Sequence, residues 1–189
     1  MRARKPLPRL WLVSDARTDI GLDAAIARLP RGAGVIFRHY HLPPAERRHR
    51  FEAVRRLCRV RKLMLVLAGS AKMARRWRAD GAYGPPAAGI TLATAHDVRE
   101  IARANRHGAA AVLLSPVFAT RSHPGARPLG RVRFRLLAQR SRVPVVALGG
   151  MTARRARALP GHGWAAIDGL AWRASHSAAL IPGGGRSDS

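Results

Sequence analysis

Short apolar runs, most of them rich in β-branched residues, alternate along this chain with longer stretches in which apolar residues return every three or four positions. LWLVSD (10–15) reads as a strand and LDAAIARLP (22–30) as the short helix after it. GVIFRHY (34–40) is a second strand. Its helix, PAERRHRFEAVRRLCRVRK (44–62), opens at a proline pair and aligns Phe51, Val54, Leu57 and Cys58 on one stripe. The rhythm continues with LMLVLAG (63–69) and AKMARRWRA (71–79), then the less apolar GAYG (81–84) before a second proline pair. GITLAT (89–94) precedes the helix HDVREIARANRHG (96–108), which Gly108 closes as a C-cap. AAVLLSPVF (110–118) and RVRFRLLAQRS (131–141) follow, then VPVVALGG (143–150) and MTARRARALP (151–160). GWAAIDG (163–169) is the eighth strand, and LAWRAS (170–175) begins a last helix.

Strands this continuously apolar are buried on both faces, which parallel sheets covered by helices require. Eight strand–helix units predict an α/β fold of the closed (β/α)8 type, a compact TIM barrel over 1–181, with 182–189 (PGGGRSDS) a disordered tail. An open doubly wound sheet is the alternative, but no Gly-x-Gly-x-x-Gly follows the first strand.

Composition narrows the picture further. A chain of 189 residues that is 47% hydrophobic is one globular domain with a real core. No apolar run reaches the roughly 18 residues of a membrane span. The apolar run near the N-terminus is too short for a secretory signal and contains Asp15. Cys58 stands alone, so neither a disulfide nor a cysteine zinc site is expected, and the predicted location is cytoplasmic. The net charge of +25 raises the question of nucleic acid. The basic residues, nearly all arginine, are spread from Arg2 to Arg186, and aromatics are only 5%, so a solvated basic surface is favoured over a dedicated nucleic-acid site.

In a (β/α)8 barrel chemistry gathers at the C-terminal strand ends. The first strand offers Ser14 and Asp15 there, and the second Arg38, His39, Tyr40 and His41. The third ends in the chemically sparse Ala68-Gly69-Ser70. The fourth brings Tyr83, and the fifth Thr91 and Thr94. After the sixth comes SPVFATRSHPGARPLG (115–130), which crowds Thr120, Arg121, Ser122 and His123 between prolines and glycines. Gly149-Gly150 end the seventh strand and Asp168-Gly169 the eighth. Glycines at these two ends allow backbone N–H groups to approach phosphate oxygens. Arg38 on an apolar strand is expensive to bury without an anion. Each candidate also has a plain structural role: Thr120 and Ser122 as loop caps, His123 as a surface histidine, Asp168 as an arginine partner. Trp11, Trp77, Trp164 and Trp172 read as packing residues.

The order PVFATRSHPGARPLG, VPVVALGGMT, GWAAIDGLA resembles the thiamine phosphate synthase and TenI-type family. That family shows a Pro-Val-Phe-x-Thr-x-Thr-Lys loop, a Pro-Val-Val-Ala-Ile-Gly-Gly-Ile strand and a final Gly-Val-Ala strand. GVIFRHY lies where the family has Gln-x-Arg-x-Lys, with Arg38 on its arginine, and the resemblance is stronger in the second half of the chain than in the first. The resemblance implies a (β/α)8 barrel that joins a thiazole phosphate to a hydroxymethylpyrimidine diphosphate and releases pyrophosphate. Phosphorylated small molecules are the implied partners. It also implies Mg²⁺ held by aspartates, yet Ala68-Gly69-Ser70 replaces the family's Asn-Asp-Arg, and no carboxylate lies between Asp80 and Asp97. Ile36 and Tyr40 replace the glutamine and lysine around Arg38. Ser122 and His123 replace the second threonine and the lysine of the loop, and Ala93 replaces a histidine. Pro116 replaces the histidine of the tautomerase branch. The expectation is therefore a transferase of weakened activity and weak Mg²⁺ dependence. Its expected catalytic residues are Arg38 and His123, and Thr120, Arg121, Ser122, Gly149, Gly150, Asp168 and Gly169 hold substrate phosphate. The alternative is a non-catalytic barrel that binds thiamine-pathway phosphates.

Overall fold

The computed structural model describes residues 7–120, 125, 127–167 and 170. Arg121, Ser122, His123, Asp168, Gly169, Trp172, the last helix beyond 170 and the tail 182–189 lie outside the described residues.

Eight strands form in sequence: β1 (Leu10–Val13), β2 (Gly34–Phe37), β3 (Met64–Ala68), β4 (Gly81–Gly84), β5 (Leu92–Ala95), β6 (Ala111–Leu114), β7 (Val145–Ala147) and β8 (Gly163–Ala166). Each pairs in parallel with the next, and β8 returns to β1 through Leu10↔Trp164 and Leu12↔Ala166. The barrel is closed, as the strand rhythm predicts. Around it run α1 (Asp19–Arg28), α2 (Pro44–Val60), α3 (Ala71–Arg76), α4 (Val98–Arg106), α5 (Gly130–Ala138) and α6 (Ala153–Arg157).

Several boundaries differ from the sequence reading, each for a local reason. β6 stops at Leu114 and does not reach Phe118, because Val117 N–H turns aside to Leu148 O at 2.9 Å and Phe118 N–H to Gly149 O at 3.1 Å. The chain therefore leaves β6 by lying across the end of β7. β5 starts at Leu92, since Gly89 sits at φ +75, outside the strand region. The first helix begins at Asp19, three residues before Leu22. It follows a 3₁₀ turn (Ala16–Thr18) whose N-cap, Asp15, accepts a hydrogen bond from Arg17 N–H.

Two apolar layers result from the alternation of side chains along each strand. Trp11, Val13, Ile36, Val66, Leu92, Leu113 and Val146 fill the barrel interior. Leu12, Val35, Phe37, Leu65, Val112 and Leu114 face the helices, where Phe51 and Val54 of α2 and Phe134 of α5 meet them. The interior is not packed by branched side chains alone. The Trp11 indole lies fully buried beside Gly34, where a Cβ would stand 2.3 Å from the ring, so glycine makes room for tryptophan. Its ring N–H donates to Pro8 O at 2.8 Å, which satisfies the one polar atom buried with it. Losing such a side chain costs about 3–5 kcal/mol.

Candidate functional site

A cavity of about 310 Å³ opens at the C-terminal mouth of the barrel. Arg38 and Tyr40 enter it after β2, Tyr83 from β4, and Thr94 and His96 from the end of β5. Ser115 and Thr120 come from the segment after β6, and Leu148, Gly149 and Ile167 close the far side. Of the residues expected at the site, Arg38, Thr120 and Gly149 thus line one cavity, with Gly150 next in the chain. Thr91 does not belong to it. It precedes β5 at the other end of the barrel, where its hydroxyl accepts Ala82 N–H at 3.2 Å. Ser70 caps α3 by accepting Met73 N–H.

Arg38 is held from both sides of its backbone. Its N–H donates to Ser14 Oγ at 2.9 Å, and its carbonyl accepts from Arg47 Nε at 2.9 Å. Arg47 is itself buried, donates through Nη2 to Ala68 O at 2.7 Å, and lies between the rings of Tyr40 and Trp77. It thereby ties the ends of β2 and β3 together. Strand alternation sends the Arg38 side chain toward the mouth, where it is half-buried and makes no ion pair among the described residues. A half-buried guanidinium with no carboxylate partner among the described residues is suited to an anion. Asp15, a carboxyl that feels the charge of Arg38, is occupied with Arg17 at 2.9 Å. Burial acts to raise the Asp15 pKa, but the hydrogen bonds from Arg17 outweigh it and hold the group below its usual value. Burial pushes the Tyr83 phenol upward, so it stays a neutral hydrogen-bonding group in the mouth.

The next residue, His39, points the other way, into the helix layer. Its Nδ1 lies 2.8 Å from Ser14 Oγ and its Nε2 2.8 Å from Asp19 Oδ1. Asp19 also accepts from Arg50 Nε at 2.8 Å, and Arg50 reaches Asp23 at 2.9 Å. Burial lowers the His39 pKa against the opposing pull of Asp19, so the ring is neutral at neutral pH. Asp19 stays ionised: burial raises its pKa, but the proximity of His39 and the bond from Arg50 more than offset this.

Gly149 and Gly150 adopt φ +95 and +59. A Cβ on Gly149 would lie 2.8 Å from Pro116 Cα, and one on Gly150 would lie 2.4 Å from Ala119 O. These glycines therefore serve packing directly: they let the loop after β6 press onto the end of β7. Their N–H groups donate no hydrogen bond among the described residues, so they remain available to an anion.

Comparison with known proteins bears on the same half of the barrel. Residues 86–171 match the family model described as thiamine monophosphate synthase. Over 179 residues the chain is 27% identical to the Aquifex aeolicus protein named "Putative thiamine-phosphate synthase 2", covering 87% of this chain and 96% of that one. The second half of the chain thus resembles thiamine monophosphate synthases, and a lower likeness extends over most of its length. A thiamine phosphate pyrophosphorylase from Pyrococcus furiosus superposes with a TM-score of 0.72 over 86% of each chain at 23% identity, which agrees in fold. So does a structure described as native KDPGal, with a TM-score of 0.60 at 16% identity over 94% of this chain and 90% of that one.

The donor set of the mouth differs from what that resemblance implies. The described residues lining the mouth supply a guanidinium, phenols, hydroxyls, an imidazole and backbone amides, and among them is no Asp or Glu. Mg²⁺ seeks carboxylate and other oxygen ligands in octahedral geometry, so this set does not fit it. Sequence reasoning passed over His96, which joins the cavity while its Nδ1 bonds Glu100 at 2.8 Å. It also passed over Arg47. His96 could have been found as the first residue after β5, but Arg47 carries no local signal, since its spacing on α2 looks like that of any solvated arginine.

Proposed function

We propose that the barrel mouth binds a thiazole phosphate and a pyrimidine diphosphate and joins them to form thiamine phosphate, with release of pyrophosphate. The observation that carries this reading is the half-buried Arg38, unpaired among the described residues and facing the same cavity as Gly149. The thiazole phosphate rests on the N–H groups of Gly149 and Gly150, which donate to nothing among the described residues, with Thr120 lining the same cavity. The pyrimidine lies against Tyr40 and Tyr83, whose faces suit a flat heterocycle. As the bond between its methylene carbon and the diphosphate oxygen breaks, the electron pair leaves with the diphosphate, and the thiazole nitrogen supplies the pair for the new C–N bond. Arg38 stabilises the departing charge with a bidentate hydrogen-bonded clamp, and Arg121 and His123 are further cations for the same role. No step is assigned to a metal.

The cavity also supports a second reading, a phosphate-binding barrel without catalysis, because its described lining lacks any carboxylate. Incubating both substrates with the protein, with and without chelator, separates the two. Slow thiamine phosphate formation that chelator leaves intact is the expected result. Binding of thiazole phosphate without turnover supports the second reading. Brisk turnover that chelator abolishes refutes the metal-free mechanism.

A further inference from the structure

We propose that Asp19, His39 and His41 form a site for one late first-row divalent cation of the zinc class, set on the outer side of the loop between β2 and α2 and apart from the mouth cavity. One ligand atom from each residue lies within 4.8 Å of the other two. Ligands on a tetrahedral zinc at 2.0–2.2 Å stand roughly 3.5 Å apart, so a small side-chain adjustment closes the set. His41 is exposed and free to make it.

The independent observation is His39 itself. It is 1% exposed, yet its Nε2 has no aligned hydrogen-bond partner. Asp19 Oδ1 is near at 2.8 Å, but it stands off the direction in which that nitrogen points, so proximity alone does not satisfy the atom. An ion between Asp19 and His41 would satisfy it. The rest of the ring is fixed as a metal-binding imidazole requires. Nδ1 pairs with Ser14 Oγ at 2.8 Å, which leaves Nε2 as the ligand atom. The ring stacks on Phe37 at 4.4 Å with planes 2° apart, and His41 follows at 5.1 Å between centroids. Arg50 is the facing cation. It holds Asp19 Oδ1 and is itself offset by Asp23, so the local charge stays balanced around the carboxylate.

Two imidazoles and a carboxylate select zinc, cobalt, nickel or copper over Mg²⁺ and Ca²⁺, which prefer oxygen. Three protein ligands leave a fourth position for water. An ion here ties the loop carrying Arg38 and Tyr40 to the start of α1.

The test uses the full chain, stripped with chelator, desalted, and titrated with Zn²⁺ and with Co²⁺. One equivalent should bind, Co²⁺ should develop visible d–d absorption of a low-coordinate site, and Zn²⁺ should raise Tm whereas Mg²⁺ should not. His41→Ala, an exposed change, should weaken binding at least tenfold, and so should Asp19→Asn. His107→Ala, at the end of α4, should leave it unchanged. Absence of stoichiometric binding overturns the proposal, as does His41→Ala binding like wild type or His107→Ala losing as much as His41→Ala. None of these readouts depends on catalytic activity.

Discussion

Replacing Gly149 with alanine tests whether the end of β7 is shaped by the loop that crosses it. The backbone there sits at φ +95, where an L side chain costs about 1–2 kcal/mol. The new methyl would also lie 2.8 Å from both Cα and Cβ of Pro116 and 3.2 Å from Val117 N. These neighbours are backbone or ring atoms, and Val117 N is committed to Leu148 O at 2.9 Å, so they cannot rotate away as a flexible side chain would. Overpacking of this kind adds about 1–3 kcal/mol, for a total of about 2–5 kcal/mol. In a domain of this size each kcal/mol moves Tm by about 2–4 °C, which predicts a drop of roughly 4–20 °C. Gly161→Ala is the matched control. It shares a positive φ, +84, but has nothing within 4 Å of the added methyl, so only the conformational cost of about 1–2 kcal/mol applies. Thermal melts followed by circular dichroism compare the two. If Gly149→Ala melts at or above the temperature of Gly161→Ala, the close approach of the two loops is not what the glycine accommodates.

Arg38→Ala should weaken pyrimidine diphosphate binding about tenfold to a hundredfold by calorimetry, the loss of a charge-assisted contact of about 1.5–3 kcal/mol, while circular dichroism stays native. The Cys58 thiol, buried and pushed up to about 12, should resist a thiol reagent at pH 8 in the native protein and react once the chain is unfolded. His39 and His162 both have pKa values lowered mainly by burial, so the unfolded chain takes up more protons than the folded one below the ordinary value of 6.5. Denaturant melts with chelator present should therefore show full stability above pH 6.5 and a decline as pH falls through the lowered pKa values, a slope that His162→Gln should flatten in part.

The barrel was legible in the chain because its strands are continuously apolar, a pattern that only a covered parallel sheet explains. Element ends were less legible. Starting the fifth strand at Gly89 placed Thr91 within it, whereas the strand begins at Leu92 and leaves Thr91 at the opposite end from the mouth. Arg38 and Gly149 could be assigned to the mouth because alternation and position after a strand determine where they point. Arg47 could not, since its burial depends on Trp77 and Tyr40 arriving from elsewhere in the fold. The same holds for the contact of Ser14, His39 and Asp19, which come from three separate segments. The stronger likeness of the second half fits the match of the family model to residues 86–171.

The central claim is that the mouth of this barrel holds a phosphorylated thiazole on the amides that follow β7. A crystal structure of the protein with thiazole phosphate tests it directly. The phosphate oxygens should lie within hydrogen-bonding distance of Gly149 and Gly150 N–H, with the thiazole ring inside the cavity bordered by Arg38 and Tyr83. A phosphate seated on the arginine-rich outer surface, with that cavity empty, would contradict the account.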